Sequence, residues 1–372
     1  MTILCWNGLP SVVQKRESFM RYHNVCLETF AYTLPDEIVT SDDIEERLRP
    51  VYERLHLPAG RLELMTGIRE RRFFPVGTRP GDISALTAKK AIEQSGIPAE
   101  SFGALIHGSV CRDQLEPATA CGVHAAAGLP GSCAVLDVSN ACLGILNGVL
   151  LLSNMIELGQ IRAGVVVGTE VGRGLVEGTI DTLLKSSNVS RKDVKGEFAS
   201  LTIGSASAGI VVCDRKLSRT GNRLIGAHCL ADSSHHKLCE GGVESETYGD
   251  DRPRMQTDSE ALLHAGVNLA TQNWDATLKT LGWRNSTVDK AFTHQVGKAH
   301  RKLLYDSLGL NSEIDFATVD FLGNTGAAAL PVTTAIGLER GHVQAGDQVA
   351  MLGIGSGLNS IMMGWEFQSL PG

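Results

Sequence analysis

Short apolar runs typical of buried strands alternate with longer helix-like runs along most of the chain. In the first half, strand patterns cover residues 104–108, 133–136 and 163–170, with helix patterns at 117–127 and 143–158 between them. Short links between such elements favour a parallel or mixed sheet packed by helices. The sequence therefore predicts an α/β fold.

The second half repeats the alternation and suggests an internal duplication, although the two halves share no evident sequence identity. Its strand patterns cover residues 223–229, 289–294, 318–322, 347–353 and 360–367. Its helix patterns cover residues 258–281, 297–308 and 327–339. We expect an N-terminal extension over residues 1–20 and two halves at 21–215 and 216–372. A polar insertion at 171–199 interrupts the first half and is placed to cover a site.

Composition excludes several functional classes for this 372-residue chain. A formal net charge of -7, without a block rich in Lys or Arg, argues against general nucleic-acid binding. Nine cysteines are an odd number, and a chain this long needs no disulfide framework, so a reducing, cytoplasmic setting is expected. Residues 1–20 lack the apolar core of a signal peptide. No membrane span is expected, because polar residues interrupt even the run at 143–158.

Cys142 lies between the strand pattern at 133–136 and the helix pattern at 143–158. A cysteine at the start of a helix faces unpaired backbone N–H groups, which favours a thiolate and predicts a lowered thiol pKa. The alternative is that Cys142 simply packs in the core, as most buried cysteines do. The local sequence leaves both interpretations open.

Three polar residues of the second half stand where strand patterns end, namely His294, Asn324 and Ser356. Ligands of open α/β sheets gather beyond the carboxyl ends of strands, so we expect these side chains to converge. Taken singly, each residue also has a structural explanation, since asparagine and serine beside glycine are common in turns.

Together these motifs resemble the thiolase superfamily, in the branch of β-ketoacyl-acyl-carrier-protein (ACP) synthase III. The matching motifs, in chain order between residues 21 and 367, are Asn140-Ala141-Cys142, Thr293-His294-Gln295, Gly323-Asn324-Thr325-Gly326 and the glycine-rich loop 353–357. The resemblance implies the duplicated five-layer α/β/α/β/α thiolase fold, with two mixed sheets around buried central helices. It also implies a homodimer.

Residues 46–50, 112–117, 293–296 and 353–359 resemble in particular the condensing enzymes of bacterial olefin synthesis, which join two fatty acyl-CoA molecules head to head. This resemblance implies that Cys142 takes the acyl group from acyl-CoA and that the N–H groups of Cys142 and Ser356 form an oxyanion hole. His294 and Asn324 would hold the second thioester, and Glu116 would be a base supplied by the neighbouring subunit. The family uses no cofactor beyond its CoA or ACP thioesters and no metal.

Alternatives remain at several of these positions. Glu116 is also a natural residue to precede a helix beside Pro117. The basic residues 69–72 are either a solvated loop or a landing place for CoA phosphates. A zinc site formed by the cysteines and histidines between 229 and 239 is not expected, because their spacing fits none of the usual patterns.

Two enzyme hypotheses remain open. The first is condensation of two acyl-CoA molecules without decarboxylation, and the second is decarboxylative condensation with malonyl-ACP, as in 3-oxoacyl-ACP synthase III. A reaction like that of hydroxymethylglutaryl-CoA synthase is a more distant third. A non-catalytic acyl-binding protein of the same fold is disfavoured, because such proteins normally lose the cysteine or the histidine. The chain departs from the synthase III pattern at Val296-Gly297 and at Ser356, and it lacks the second cysteine that thiolases carry at 351–359.

Overall fold

A computed structural model describes residues 20–243 and 252–372. The predicted extension, residues 1–20, lies outside the described residues except for Met20. The strands are β1 (Met20–Arg21), β2 (Val25–Thr33), β3 (Glu37–Thr40), β4 (Glu70–Phe73), β5 (Phe102–Gly108), β6 (Ala134–Val138), β7 (Ala163–Glu170), β8 (Ala206–Asp214), β9 (Arg223–Ala231), β10 (Cys239–Val243), β11 (Pro253–Thr257), β12 (Lys290–Thr293), β13 (Gln348–Gly355) and β14 (Asn359–Glu366).

The helices follow the predicted alternation closely. They are α1 (Ser41–Arg47), α2 (Arg49–Arg54), α3 (Arg61–Thr66), α4 (Pro80–Ser95), α5 (Thr119–Ala127), α6 (Gly144–Glu157), α7 (Arg173–Lys185), α8 (Arg191–Leu201), α9 (Ser259–Leu281), α10 (Lys298–Leu308), α11 (Val319–Leu322) and α12 (Ala329–Glu339). In the part of the chain that is described, no helix has the length and apolar character needed to cross a bilayer.

The main sheet has ten strands in the order β12-β13-β14-β9-β2-β8-β7-β5-β6, with β1 beside β9. Strand β5 runs parallel to β6 and β7, and β12 runs parallel to β13, whereas the other neighbours are antiparallel. Strand β1 pairs with β9 at Met20 and Arg21, and along the sheet order strand β2 of the first half meets β9 of the second half at the single pair Cys26 and Arg223. The two expected mixed sheets are therefore joined by this pair into one hydrogen-bonded sheet.

Three apolar clusters separate the layers of the fold. Helices α4 and α5 pack on one face of the first-half strands, and α9 and α10 pack on one face of the second-half strands. Helices α6 and α12 fill the central layer between the two groups of strands. Helix α6 is buried on most sides, and fully burying one of its leucines contributes about 1.5–3 kcal/mol. This arrangement confirms the predicted α/β class and its layered thiolase architecture.

The predicted strand at 318–322 is wrong, because Val319–Leu322 forms the short helix α11. Gln295 accepts the N–H groups of Thr318 and Val319 through its side-chain oxygen, at 3.2 Å each. It thereby occupies the donors that a neighbouring strand would need. Among the described residues, only the isolated pair of Ala291 with Asp315 extends the sheet beyond β12.

The predicted insertion at 171–199 forms helices α7 and α8. Their apolar sides, including Val176 and Phe198, pack against Ile44 and Leu62 from the α1–α3 segment in a fourth cluster. Helix α1 is capped by Thr40, which forms a reciprocal pair of hydrogen bonds with Asp43. The hydroxyl of Ser41, the first residue of α1, donates to the Ile68 carbonyl at 2.5 Å.

The basic residues 69–72 mostly form strand β4, and Arg71 is completely buried. Its guanidinium donates to the Ser41 hydroxyl at 3.1 Å and to the Val39 carbonyl at 3.4 Å. Burial lowers the Arg71 pKa to about 10. Arg71 is therefore a structural residue and does not face a CoA phosphate, whereas the Arg69 side chain is 57% exposed.

Candidate active site

Cys142 lies in the turn that joins β6 to α6, beyond the carboxyl end of the strand. The preceding residue, Ala141, has a φ of 45°, a left-handed conformation that costs an L-residue about 1–3 kcal/mol. Gly144 opens the helix against strand β5, since a Cβ there would lie 2.8 Å from the Gly108 carbonyl carbon. A strained turn and a close helix–strand contact thus present the cysteine at the sheet edge.

The predicted lowering of the Cys142 pKa is wrong. Burial raises the pKa of this thiol to about 12, and the nearby Glu170 carboxylate contributes to the rise. Helix α6 is capped by Leu143, so Cys142 stands one residue before the cap, and the cost of burying a thiolate there outweighs the favourable helix dipole. The resting thiol is therefore protonated, and its attack on a thioester needs a proton acceptor.

The turn between β13 and β14 lies directly against Cys142. A Cβ at Gly355 would lie 3.5 Å from the Cys142 backbone nitrogen, and Ser356 follows in the same turn. The Asn359 amide donates to the Asn140 side-chain oxygen and to the Ser356 carbonyl, at 3.2 Å each. These contacts fix the predicted oxyanion-hole residues Cys142 and Ser356 on adjacent segments.

His294 follows β12, and its backbone N–H donates to the Leu352 carbonyl at 3.1 Å. This pairing places His294 beside Gly353, where a Cβ would lie 2.8 Å from the Leu143 side chain, next to Cys142. Burial, with a smaller contribution from His300, lowers the His294 pKa to about 3. The imidazole is neutral, and its Nδ1 is buried with no hydrogen-bond partner among the described residues.

Asn324 lies in the turn after α11, bound on both sides to the segment that leads into β8. Its N–H donates to the Thr202 carbonyl at 3.0 Å, and its carbonyl accepts the Gly204 N–H at 2.9 Å. The side-chain oxygen accepts the Gly326 N–H at 3.0 Å. This bond fixes the amide orientation and leaves the Nδ2 hydrogens to donate to a ligand carbonyl.

Two residues of the site were missed by the sequence interpretation, Glu170 and Gln295. Glu170 ends the fully buried strand β7 and is 5% exposed. Its carboxylate accepts N–H groups from the link after β5 and from the turn that carries Asn324. A lone acidic residue at the end of a buried strand is a signal that could have found it. Gln295 accepts the N–H groups at the start of α11 and so fixes the helix that leads into the Asn324 turn.

Glu116 is exposed on the link between β5 and α5, away from the buried residues of its own chain. The structure places Cys142 against the turn that carries Ser356, and His294 beside Gly353 of β13. Glu170 connects the Asn324 turn to the link after β5, and Glu116 lies on the surface. Within the described residues, no group of three or more His, Cys, Asp or Glu side chains is arranged to hold a metal ion.

Comparisons with known proteins agree with this geometry. Residues 65–172 match the thiolase N-terminal domain, and residues 278–366 match the C-terminal domain of 3-oxoacyl-[acyl-carrier-protein] synthase III. The chain is 41% identical to an acyl-CoA:acyl-CoA alkyltransferase of Shewanella oneidensis, over 93% of this chain and 99% of that protein. The chain belongs to the acyl-CoA:acyl-CoA alkyltransferase family. It is a condensing acyltransferase of the thiolase superfamily, as the resemblance predicted.

Other members of the family and more distant relatives are also similar to this chain over most of its length. An acyl-CoA:acyl-CoA alkyltransferase of Xanthomonas campestris is 33% identical over 92% of this chain and 98% of its own length. A crystal structure of OleA from Xanthomonas campestris superposes with a TM-score of 0.88, at 32% identity over 94% of this chain and 98% of that one. A β-ketoacyl-[acyl-carrier-protein] synthase III of Rhodospirillum centenum is 28% identical over 91% of this chain and 97% of its length.

Proposed function

We propose that this alkyltransferase joins two acyl-CoA molecules head to head into a β-keto product, without decarboxylation. The observation that carries the proposal is the 41% identity, over nearly the full length of both chains, to a protein named acyl-CoA:acyl-CoA alkyltransferase. The placement of Cys142 against the Gly355 turn and of His294 beside Gly353 in the same strand supports it. The reaction uses the two thioesters as its only small molecules.

In the first step, the sulfur of Cys142 attacks the carbonyl carbon of the first acyl-CoA. The new carbon–sulfur bond forms as the bond to CoA breaks, and the thiol proton passes to the departing CoA sulfur. Because the Cys142 pKa is raised, the proton must leave the sulfur during the attack, and we assign its relay to His294. Burial lowers the His294 pKa to about 3, so the imidazole holds this proton only in passing to the departing CoA sulfur. The N–H groups of Cys142 and Ser356 stabilise the oxyanion.

In the second step, the α-carbon of another acyl-CoA loses a proton and attacks the acyl group on Cys142. Negative charge builds on the thioester oxygen of the enolate, and the Asn324 Nδ2 hydrogens and the His294 ring donate to it. The bond from carbon to the Cys142 sulfur breaks, and the sulfur takes up a proton in place of the one that the base removed from the α-carbon, which regenerates the resting thiol and the base and releases the β-keto product. An α-proton is weakly acidic, so this step needs a placed base, which we assign to Glu116.

Glu116 reaches a reacting centre only if a second copy of the chain brings it there, so the proposal includes a homodimer. Strand β6 is an edge of the described sheet, and Leu136 on it is 37% exposed. Val110 and Leu115, on the link that carries Glu116, are 55% and 94% exposed. An unpaired strand edge beside exposed apolar side chains favours pairing with another copy.

Crystal structures of OleA support the same assignment of residues. They include variants of that protein at one cysteine, one histidine and one glutamate. In OleA the glutamate precedes the cysteine by 26 residues, and Glu116 precedes Cys142 by 26 residues here.

Incubation with a single long-chain acyl-CoA tests the proposed function. We expect release of free CoA, measured by thiol titration, and formation of a condensed β-keto product, detected by mass spectrometry. If the product forms only after malonyl-ACP is added, the decarboxylative reaction of synthase III is correct and the proposal is wrong. If Cys142 takes up no acyl group at all, the proposed reaction is wrong and the non-catalytic alternative is favoured.

Replacing Asn324 with alanine should slow condensation by about a hundred- to a thousandfold, the usual effect of removing one oxyanion donor. Acyl-enzyme formation should change much less, because Asn324 acts on the second thioester. Intact-protein mass spectrometry measures the first step and product release the second. Asn311→Ala, at an exposed turn, is the matched control and should leave both rates unchanged. Equal loss of both rates in Asn324→Ala would contradict the assigned role.

A further inference from the structure

Glu170 is a buried carboxylate that the proposed reaction does not use, and it joins two separate segments of the site. Its Oε1 accepts the Val110 N–H at 3.0 Å and the Ala327 N–H at 3.3 Å, while its Oε2 accepts the Cys111 N–H at 3.2 Å. Val110 and Cys111 begin the link that carries Glu116, and Ala327 follows the turn that carries Asn324. One side chain therefore bridges both segments.

The packing around Glu170 is tight enough to fix the turn. A Cβ at Gly326 would lie 3.0 Å from the Glu170 Cγ, so the backbone of the Asn324 turn rests on the glutamate side chain. The Gly326 N–H in turn holds the Asn324 side-chain oxygen. A continuous set of contacts thus runs from Glu170 to the amide that would bind the second thioester.

We propose that Glu170 is a positioning residue, whose carboxylate bridges the link after β5 and the Asn324 turn and so sets the place of the Asn324 amide relative to Cys142. This inference rests on the proposed function for its condensation readout. Because the carboxylate spans the two segments through one oxygen, both its length and its charge matter, and the two can be separated by substitution.

Glu170→Asp keeps the charge but shortens the side chain by one methylene, so it cannot span Val110 and Ala327. We expect condensation to fall about ten- to a hundredfold, as for a reacting group displaced by about 1 Å. Acyl-enzyme formation on Cys142 should stay within about twofold of the wild type, because Asn324 serves the second step. A general loss of structure would lower both rates together.

Glu170→Gln keeps the length and removes the charge beside Cys142. Since that charge contributes to the raised Cys142 pKa, its removal should favour the thiolate. Alkylation of Cys142 by iodoacetamide, followed by peptide mass spectrometry, should become about threefold faster or more near pH 8, whereas Glu170→Asp should alkylate like the wild type.

Glu28→Asp is the matched control. Glu28 is also a buried glutamate that accepts two backbone N–H groups, from Arg219 and Thr220, but these lie in the link between β8 and β9. Its variant should keep the wild-type ratio of acylation to condensation in the folded protein. If Glu170→Asp does not fold, Gly326→Ala presses on the same contact and should show the same split between the two steps.

Condensation at the wild-type rate in Glu170→Asp, or in Gly326→Ala, would overturn the proposal. An unchanged alkylation profile in Glu170→Gln would show that the carboxylate does not face Cys142, which also overturns it. If the wild type makes no product from acyl-CoA alone, the proposed function fails by itself. The alkylation profile, and the acylation-to-condensation ratio measured with malonyl-ACP, then still test Glu170.

Discussion

Replacing Cys142 with alanine is expected to abolish both the acyl-enzyme and the condensed product. Among the described cysteines, Cys142 is the one that follows the left-handed residue Ala141 and whose backbone nitrogen packs against the glycine turn at Gly355. Loss of a nucleophile that works together with a base and an oxyanion hole costs about ten-thousandfold or more in rate. Intact-protein mass spectrometry after exposure to acyl-CoA checks the first loss, and product analysis checks the second.

Cys121→Ala provides the control for this experiment. Cys121 is exposed on α5 and is accessible to reagents, so its loss should change neither acylation nor condensation. An acyl mass that persists in Cys142→Ala and disappears in another cysteine variant would contradict the assignment. The comparison separates adventitious thioester exchange at an accessible thiol from uptake at the site.

The elements of the central layers could be predicted because their sequences are one-sidedly or fully apolar. The runs that became β5, β7 and α6 need burial on nearly every side, and only a sheet packed by helices provides it. Residues 318–322 show the limit of such patterns. Their apolar side chains suit a strand or a helix, and Gln295, 23 positions earlier, settles the choice by accepting two N–H groups.

The positions of the candidate site residues could be predicted from motif order, but their electrostatics could not. The Cys142 pKa depends first on burial by segments that are remote in the sequence and then on Glu170, so a helix-start argument predicted the wrong direction. Arg71 was similarly hidden, because its exposed or buried state is set by the pairing of β4 with β3. Local sequence predicts which groups are present, whereas tertiary packing determines their charge.

Glu116→Gln should lower condensation by about a hundredfold or more while acyl-enzyme formation continues. A placed general base typically contributes that much, and glutamine keeps the shape of glutamate without its basicity. The acyl-enzyme should therefore accumulate on Cys142, visible as a persistent mass increase with little product. Glu100→Gln, at another exposed glutamate, should condense normally.

Mixed dimers show whether Glu116 acts across the subunit interface. Cys142→Ala and Glu116→Gln chains are each inactive alone, but a dimer of one with the other holds one Cys142 site faced by an intact Glu116. Random exchange should restore about a quarter of the wild-type activity, since half of the dimers are mixed and each has one complete site. Recovery would be absent if Glu116 served its own chain. Full condensation by Glu116→Gln alone would remove the base from the mechanism and favour a decarboxylating donor.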